Sequence, residues 1–496
     1  MTTSTLSPEN SVAVHEPAKI LPVQSTGYTS YRIRHTLASR FAFLVLCLAI
    51  VLSALAFGTV HYWTQSVFFM GAVTILILWV IDSWVLGSVR LSKNMLQFPL
   101  LALFVLGLVQ LLPLRSPENA GTLPITLTRS LSFDPYSTRL VLILLAALTI
   151  YFCATLIFLD TPKRLRLLVR TITVFGFFLA IFGLTQSLTS PTKVYWIREL
   201  PQSTAFGPFI NRHHFAGYME MTLALPLGLL FSGSIEKEKR FLYLFVAGLM
   251  AVALIMTNSR GGIIALVAEI LFLAATMGFR RHHHKKHKSE RKTPRFKSAA
   301  VKAGLALALI VAIFGGVVLL GGEEALTRIV GSVNTDDPTT GRAHFWGVTV
   351  DIIKQHPLIG TGLGAFGVVY TGYDSRNGLY RLEQAHNDYL QILSDAGIVG
   401  AVIGLVFIVG LFRVGFARRE SGDDFRRGVA TGALAGCFAV LVHSFFDFTL
   451  HTPSNALLFL VMAALATVNG RVEEVQTRRK RRRRGEPAPA VEPVAT

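Results

Sequence analysis

Runs of roughly twenty predominantly apolar residues, the length a helix needs to cross the hydrocarbon core of a bilayer, recur along the whole chain. Twelve are read, at 41–58, 66–87, 97–114, 140–159, 168–187, 215–232, 241–257, 261–279, 299–320, 396–416, 428–446 and 454–470. With 52% hydrophobic and only 16% charged residues, a chain of 496 residues has too little polar surface for a water-soluble fold. The expected fold class is an all-α polytopic membrane protein of about twelve transmembrane helices. An even count puts both termini on one side, and losing either 97–114 or 168–187 would invert half of the topology.

Lysine and arginine give the orientation. With the N-terminus inside, the inner segments hold 35 of these residues and the outer ones 12, in the sense of the positive-inside rule. The net charge of +19 is therefore a topology signal before it is a sign of any partner. The organisation expected is a polar cytoplasmic tail (1–40), N-terminal spans (41–200), a region 201–470 that includes an outer loop at 321–395, and a basic, disordered cytoplasmic tail (471–496). No cleavable signal peptide is read at the start. Cys47, Cys153 and Cys437 all fall in apolar runs, so no disulfide is needed.

Two basic stretches have ordinary explanations. RRHHHKKHKSERKTPRFK at 280–297 contains four histidines but no cysteine and no clustered carboxylates, and reads as a solvated loop touching anionic lipid. RRKRRRR near the C-terminus reads as an anchor on lipid headgroups, with no nucleic acid as partner.

The stretch from Arg342 to Gly400 is too polar for lipid and too weakly basic for an inner loop. Its first part reads as a helix with Trp346, Val350 and Ile353 on one face, stopped by Pro357; a second short helix runs from near Gln384 to Gly397. Gly362, Gly364 and Gly367 have GxGxxG spacing, but no strand precedes them and an outer face offers no nucleotide. They read as a tight turn, and no cofactor is expected.

Polar clusters gather at the outer ends of the runs: Asn211, Arg212, His213 and His214; Asn258, Ser259 and Arg260; Arg342 and His344; His386, Asn387 and Asp388; and His443, Asp447 and His451. Polar groups at membrane depth are costly and are kept for function or for pairing. Arg260 stands in a connection too short to need a charge. It reads as a fork for phosphate oxygens or as the structural partner of Asp447 or Glu220. His386 reads as a proton acceptor for a hydroxyl or as a helix-capping histidine. The spacing of four puts His443, Asp447 and His451 on one helix face as long as the helix continues, for a relay, a metal or packing.

NRHHFAGY, then TNSRGG, then a long outer loop with RAHFW, HPLIGTGLGAF and AHNDYLQILSDAGIVG together resemble the O-antigen ligase and O-antigen polymerase family of bacterial inner-membrane proteins, over roughly residues 200–470. The resemblance implies a glycosyltransferase of GT-C-like architecture. It would move a glycan from undecaprenyl diphosphate to an acceptor hydroxyl on the periplasmic side in surface polysaccharide assembly, without a metal. Arg260 and Arg342 would hold the diphosphate and His386 would be the base or orienting residue, with Asn211, Arg212, His214, Asn387, Asp447 and His451 as substrate-binding residues. His213 departs from the family pattern, standing where asparagine is common. Asp336-Asp337-Pro338 is a poor substitute for a DxD signature.

The acceptor is a lipid A-core sugar for a ligase, another lipid-linked repeat for a polymerase, or a protein side chain for a more distant relative; the motifs leave these open. The alternative function is a multi-span transporter or exporter of a lipid-linked glycan, to which intramembrane Asp82, Glu220 and Glu269 would belong. No repeat between the halves supports it.

Overall fold

The computed structural model describes residues 35–115, 129–200, 204–278, 341–375, 382–419 and 421–468. Within the unit that begins at Thr36, the described residues are mostly helical. Its helices are α1 (Leu37–Leu55), α2 (Tyr62–Leu86), α3 (Gln97–Gln110), α4 (Pro135–Phe158), α5 (Pro162–Thr189), α6 (Arg212–Ser232), α7 (Lys237–Met256), α8 (Arg260–Gly278), α9 (Arg342–Gln355), α10 (Phe366–Tyr373), α11 (Asp388–Arg418), α12 (Asp424–His443) and α13 (Pro453–Thr467). One two-residue antiparallel ribbon, Lys193–Val194 with Arg198–Glu199, follows α5.

Eight of these helices, α1, α2, α4, α5, α6, α7, α11 and α12, are long and apolar enough to cross a membrane. The run at 168–187 belongs to the 28-residue α5. The runs at 97–114 and 454–470 give helices of 14 and 15 residues, which at 1.5 Å per residue reach only about 21 and 23 Å. α8 is an apolar helix of 19 residues. The run at 299–320, the four-histidine stretch and the basic tail at 471–496 lie outside the described residues.

Helix starts follow capping chemistry. Thr36, Asp134, Thr161, Asn211, Asn387 and Asp423 each accept a backbone N–H of the first turn, and Pro135 and Pro162 follow two of these caps. α6 is the central helix, buried continuously from His214 to Phe231. In lipid, helices associate by close packing, because apolar surface gains little by leaving one hydrocarbon environment for another. α6 and α12 show the consequence: a Cβ on Gly228 would stand 2.5 Å from the Gly432 backbone, and one on Gly432 would stand 2.5 Å from the Ala224 carbonyl oxygen. Backbone touches backbone there.

All the connections that carry the sequence's outer clusters lie at one end of this unit, where α6, α8, α11 and α13 begin and α7 and α12 finish. The opposite end is closed by charge. Arg90 bridges Asp82 (2.7 Å) and Asp160 (3.1 Å), Asp160 also meets Arg164 at 3.3 Å, and Arg164 donates to Ser39. Arg426, fully buried, donates to the carbonyls of Leu465 and Val468 at the C-terminus of α13, where a cation suits the helix dipole. Asp82, offered as a mark of transport, is thus an ion-pair partner at the end remote from the polar clusters. The three cysteines are free thiols, with Cys47 and Cys437 buried.

Candidate active site

α9 differs from its expected orientation. It spans Arg342–Gln355, but Val348, Thr349 and Ile352 are its buried residues and Val350 is exposed. The reason is tertiary: Val348 and Ile352 pack with Phe366, Val369 and Tyr370 of α10, while the Trp346 indole donates to the Ala385 carbonyl at 3.1 Å. This holds Arg342, the first residue of α9, over the bundle end.

The glycine-rich segment after Pro357 is a turn, with positive φ at Gly360, Gly362 and Gly364. It is clamped from two helices. Gln110 of α3 donates to the Ile359 and Asp395 carbonyls at 2.7 and 2.8 Å and accepts from the Leu363 N–H at 2.9 Å; Asp395 of α11 accepts from the Gly364 N–H at 3.1 Å.

The expected second helix begins later and runs further. Asn387 caps it, accepting from Tyr389 and Leu390, and α11 continues from Asp388 to Arg418 with a kink where Gly397 adopts φ +61°. His386, immediately before the cap, has φ +53°, a left-handed conformation that a β-carbon disfavours and that persists only where its surroundings hold it. Its ring lies edge-on to Phe448 at 4.8 Å and stacks at 30° to Phe345 at 6.4 Å. The capping residue is Asn387, so the histidine is left for other work.

That work centres on Asp447. The side chain is 1% exposed; Arg342 lies 3.3 Å from Oδ2, His213 Nδ1 3.8 Å from Oδ2 and His386 Nδ1 3.5 Å from Oδ1. Burial alone would raise its proton affinity. The contact with His386 and the charges of His213, His386 and His214 outweigh burial, and the carboxyl is held well below the usual range. Asp447 gathers one arginine and two imidazoles.

His443, Asp447 and His451 do not share a helix face. α12 finishes at His443, Asp447 lies in the turn that follows, and His451 ends a 3-10 turn. The three serve different partners: His443 Nδ1 is 2.8 Å from Glu220 Oε1, and His451 Nδ1 is 2.8 Å from Asp388 Oδ1, which is itself tied to Ser444. Withdrawal from water works against a charge on His451, but the hydrogen bond and charge of Asp388, with Asp395 behind it, prevail and raise its proton affinity.

The remaining expected residues fall around this centre. Asn211 caps α6 through the His213 N–H, and the buried His214 presents its ring edge to Phe448 at 4.9 Å while its carbonyl accepts from Asn455. Arg212 opens α6, half-buried. Arg260 opens α8 directly after Ser259, with its side chain exposed at the same end. His344 pairs with Asp374 at 2.9 Å, apart from Asp447. Sequence reading gave no separate part to Ser259, which lies 2.8 Å from His213 Nδ1, nor to the rings of Phe345 and Phe448. Only the polar context of TNSRGG pointed to the serine.

Residues 245–403 match the family model described as O-antigen ligase. The likeness is confined to that stretch, which is less than half of the chain. O-antigen ligases are glycosyltransferase-like enzymes whose partners are a lipid-linked glycan donor and a glycan acceptor, and eight of the described helices of this chain are long and apolar enough to cross a membrane. No curated protein matches the chain. The O-antigen ligase region holds Ser259, Arg260, Arg342 and His386, whereas His213, Asp447 and His451 lie outside its borders.

Proposed function

We propose that the cluster around Asp447 transfers a glycan from a polyprenyl diphosphate of the undecaprenyl type to an acceptor hydroxyl. The observation that carries this reading is the pair of contacts on one buried carboxylate, His386 at 3.5 Å and Arg342 at 3.3 Å. A carboxylate facing Nδ1 favours the tautomer with its proton there and leaves Nε2 to take the hydroxyl proton, the logic of an imidazole base oriented by an acid. The hydroxyl oxygen attacks the anomeric carbon as the bond to the diphosphate breaks, and one displacement inverts that centre. Arg342 and Arg260 supply positive charge where the diphosphate leaves, so this reading calls for no metal. Asn211, Arg212, His214, Asn387 and His451 shape the binding surface around them.

The orientation follows the sequence argument: the cluster faces the periplasm, both termini are cytoplasmic, and the transferase proper is the region 201–470 attached to the N-terminal spans 41–200. Arg90, Arg164, Arg418, Arg419, Arg426 and Arg427 at the opposite end support this sense.

The test is glycan transfer by purified protein in proteoliposomes, with an undecaprenyl-diphosphate oligosaccharide, a lipid A-core acceptor, and His386→Ala beside the wild type. Product on the core, lost in the variant, is expected of a ligase; longer lipid-linked glycan marks a polymerase. Transport of the donor without any transfer would overturn the reading in favour of an exporter.

A further inference from the structure

A row of polar side chains leaves this site and enters the bundle. His213 Nδ1 lies 2.8 Å from Ser259 Oγ, Ser259 Oγ lies 3.4 Å from His443 Nε2, and His443 Nδ1 lies 2.8 Å from Glu220 Oε1. Ser259, His443 and Glu220 are fully buried, while 22% of the His213 side chain is exposed beside Asp447. α6 supplies both ends of the row, α12 supplies His443, and the turn before α8 supplies Ser259.

Glu220 is conspicuous for its setting. Its neighbours along α6, from Phe215 to Phe231, are nearly all apolar, and an anion in such a place is costly unless it is paired or exchanges a proton. Two glycines admit the row: a Cβ on Gly261 would stand 2.7 Å from the His443 ring, and one on Gly262 would stand 3.3 Å from Glu220 Oε1. The charged groups facing the row are Asp447, Asp388, Arg342 and Arg212 at its outer end. At its inner end stands Glu269 of α8, fully buried; among the described residues neither its oxygens nor those of Glu220 are in hydrogen-bond alignment, and His443 and Glu220 meet as a close pair at 2.8 Å. The transfer step as derived above uses none of Ser259, His443 and Glu220.

Every link has the chemistry to take a proton on one side and give one on the other, since an imidazole has two nitrogens and a hydroxyl both donates and accepts. We propose that His213, Ser259, His443 and Glu220 form a proton relay, which draws the proton released in the transfer reaction out of the site and stores it on Glu220. This rests on the transfer reading above. His386 takes the hydroxyl proton as the glycosidic C–O bond forms and the bond to phosphate breaks with its electron pair. His386 and His213 stand on the two oxygens of Asp447, and a water passes the proton between them. His213 Nδ1 then gives a proton to Ser259 Oγ as the serine gives its own to His443 Nε2, and His443 Nδ1 gives its proton to Glu220 Oε1. The net change is one proton moved from the acceptor hydroxyl to Glu220, which returns it along the same row to water or to the departed diphosphate. The relay residues position and clear the proton; they do not touch the sugar.

The experiment compares Glu220→Gln, Ser259→Ala and the double variant with the wild type in the proteoliposome assay over a pH series. Each single variant is expected to keep the donor KM and to lose about 10- to 100-fold in kcat near neutral pH, with recovery as the pH rises and hydroxide clears His213 directly. The double variant is expected to fall no further than either single one, because a broken row is broken once. A Glu220→Gln protein with wild-type kcat and pH profile overturns the relay, as does a deficit that is additive and equal at every pH. If Glu220→Gln fails to fold, Ser259→Ala carries the kinetic test.

His386→Ala runs beside them: wild-type transfer by that variant sinks the assignment of the base while the pH response of Glu220→Gln still reads the relay. Infrared difference spectra during a pH titration need no activity at all. A carboxylic-acid band lost in Glu220→Gln is expected to titrate with a midpoint that moves in Ser259→Ala; an unmoved midpoint overturns the relay even if no glycan is transferred.

Discussion

Arg342 and Asp447, 105 residues apart in sequence, meet at 3.3 Å, and only 1% of the Asp447 side chain is exposed. The contact ties the first turn of α9 to the turn after α12, so one ion pair joins the outer segment to the membrane bundle and aims a guanidinium across the site. Arg342→Lys keeps the charge but loses the planar fork. The expected outcome is a donor KM raised about tenfold with kcat lowered by a smaller factor, measured by initial rates over a donor series.

Asp447→Asn removes the orienting charge while keeping the shape. Transfer is expected to fall by about 10²- to 10⁴-fold, the range spanned by losing a well-oriented base. Melting of the detergent-solubilised protein is expected to show a loss of about 3–5 kcal/mol, because Arg342 is left half-buried without its partner. An Asp447→Asn variant with the wild-type rate would remove Asp447 from the mechanism.

His451 gives the stability a pH slope. Its proton affinity is raised on folding, so its contact with Asp388 contributes fully below the ordinary histidine value of 6.5 and fades as the pH climbs through the raised value. The melting temperature of the wild type minus that of His451→Gln is expected to shrink as pH moves from mildly acidic to mildly alkaline. Asp447 runs the other way: its affinity is depressed, so its contribution is present above 3.8 and is lost only as pH falls through the depressed value, outside this window.

Gln110→Leu leaves the Ile359 carbonyl and the Leu363 N–H without their partner, while the Asp395 carbonyl keeps the Gly362 N–H. Each buried group left unpaired costs about 1–3 kcal/mol. The variant is expected to melt several degrees lower, and limited proteolysis is expected to cut the segment around Pro357 sooner than in the wild type. Unchanged cleavage would mean that the turn holds without α3.

The membrane class and the gathering of five polar clusters at one end were legible because both rest on local signals, apolar run length and polar residues at helix ends. Asn387 shows where local reading fell short. A histidine before a helix looks like a cap, yet its asparagine neighbour takes the backbone N–H groups and frees His386. The orientation of α9 was missed because α10 and the Ala385 carbonyl, not helix periodicity, decide which face is covered. The helix face that His443, Asp447 and His451 would share in a continuing helix ends at His443, where the chain turns and divides the three among Glu220, His386 with Arg342, and Asp388. Contacts of this kind join residues more than fifty positions apart, and no spacing in the sequence announces them.

The borders of the O-antigen ligase match fall inside this arrangement. A chimera that exchanged residues 245–403 between two such proteins would import His386, Ser259 and Arg342 from one parent and receive His213, Glu220, His443 and Asp447 from the other. A working exchange therefore has to move the bundle together with its outer segment, or match the residues that meet across those borders. A substitution at position 213 is free to settle only where Ser259 and Asp447 already accept it.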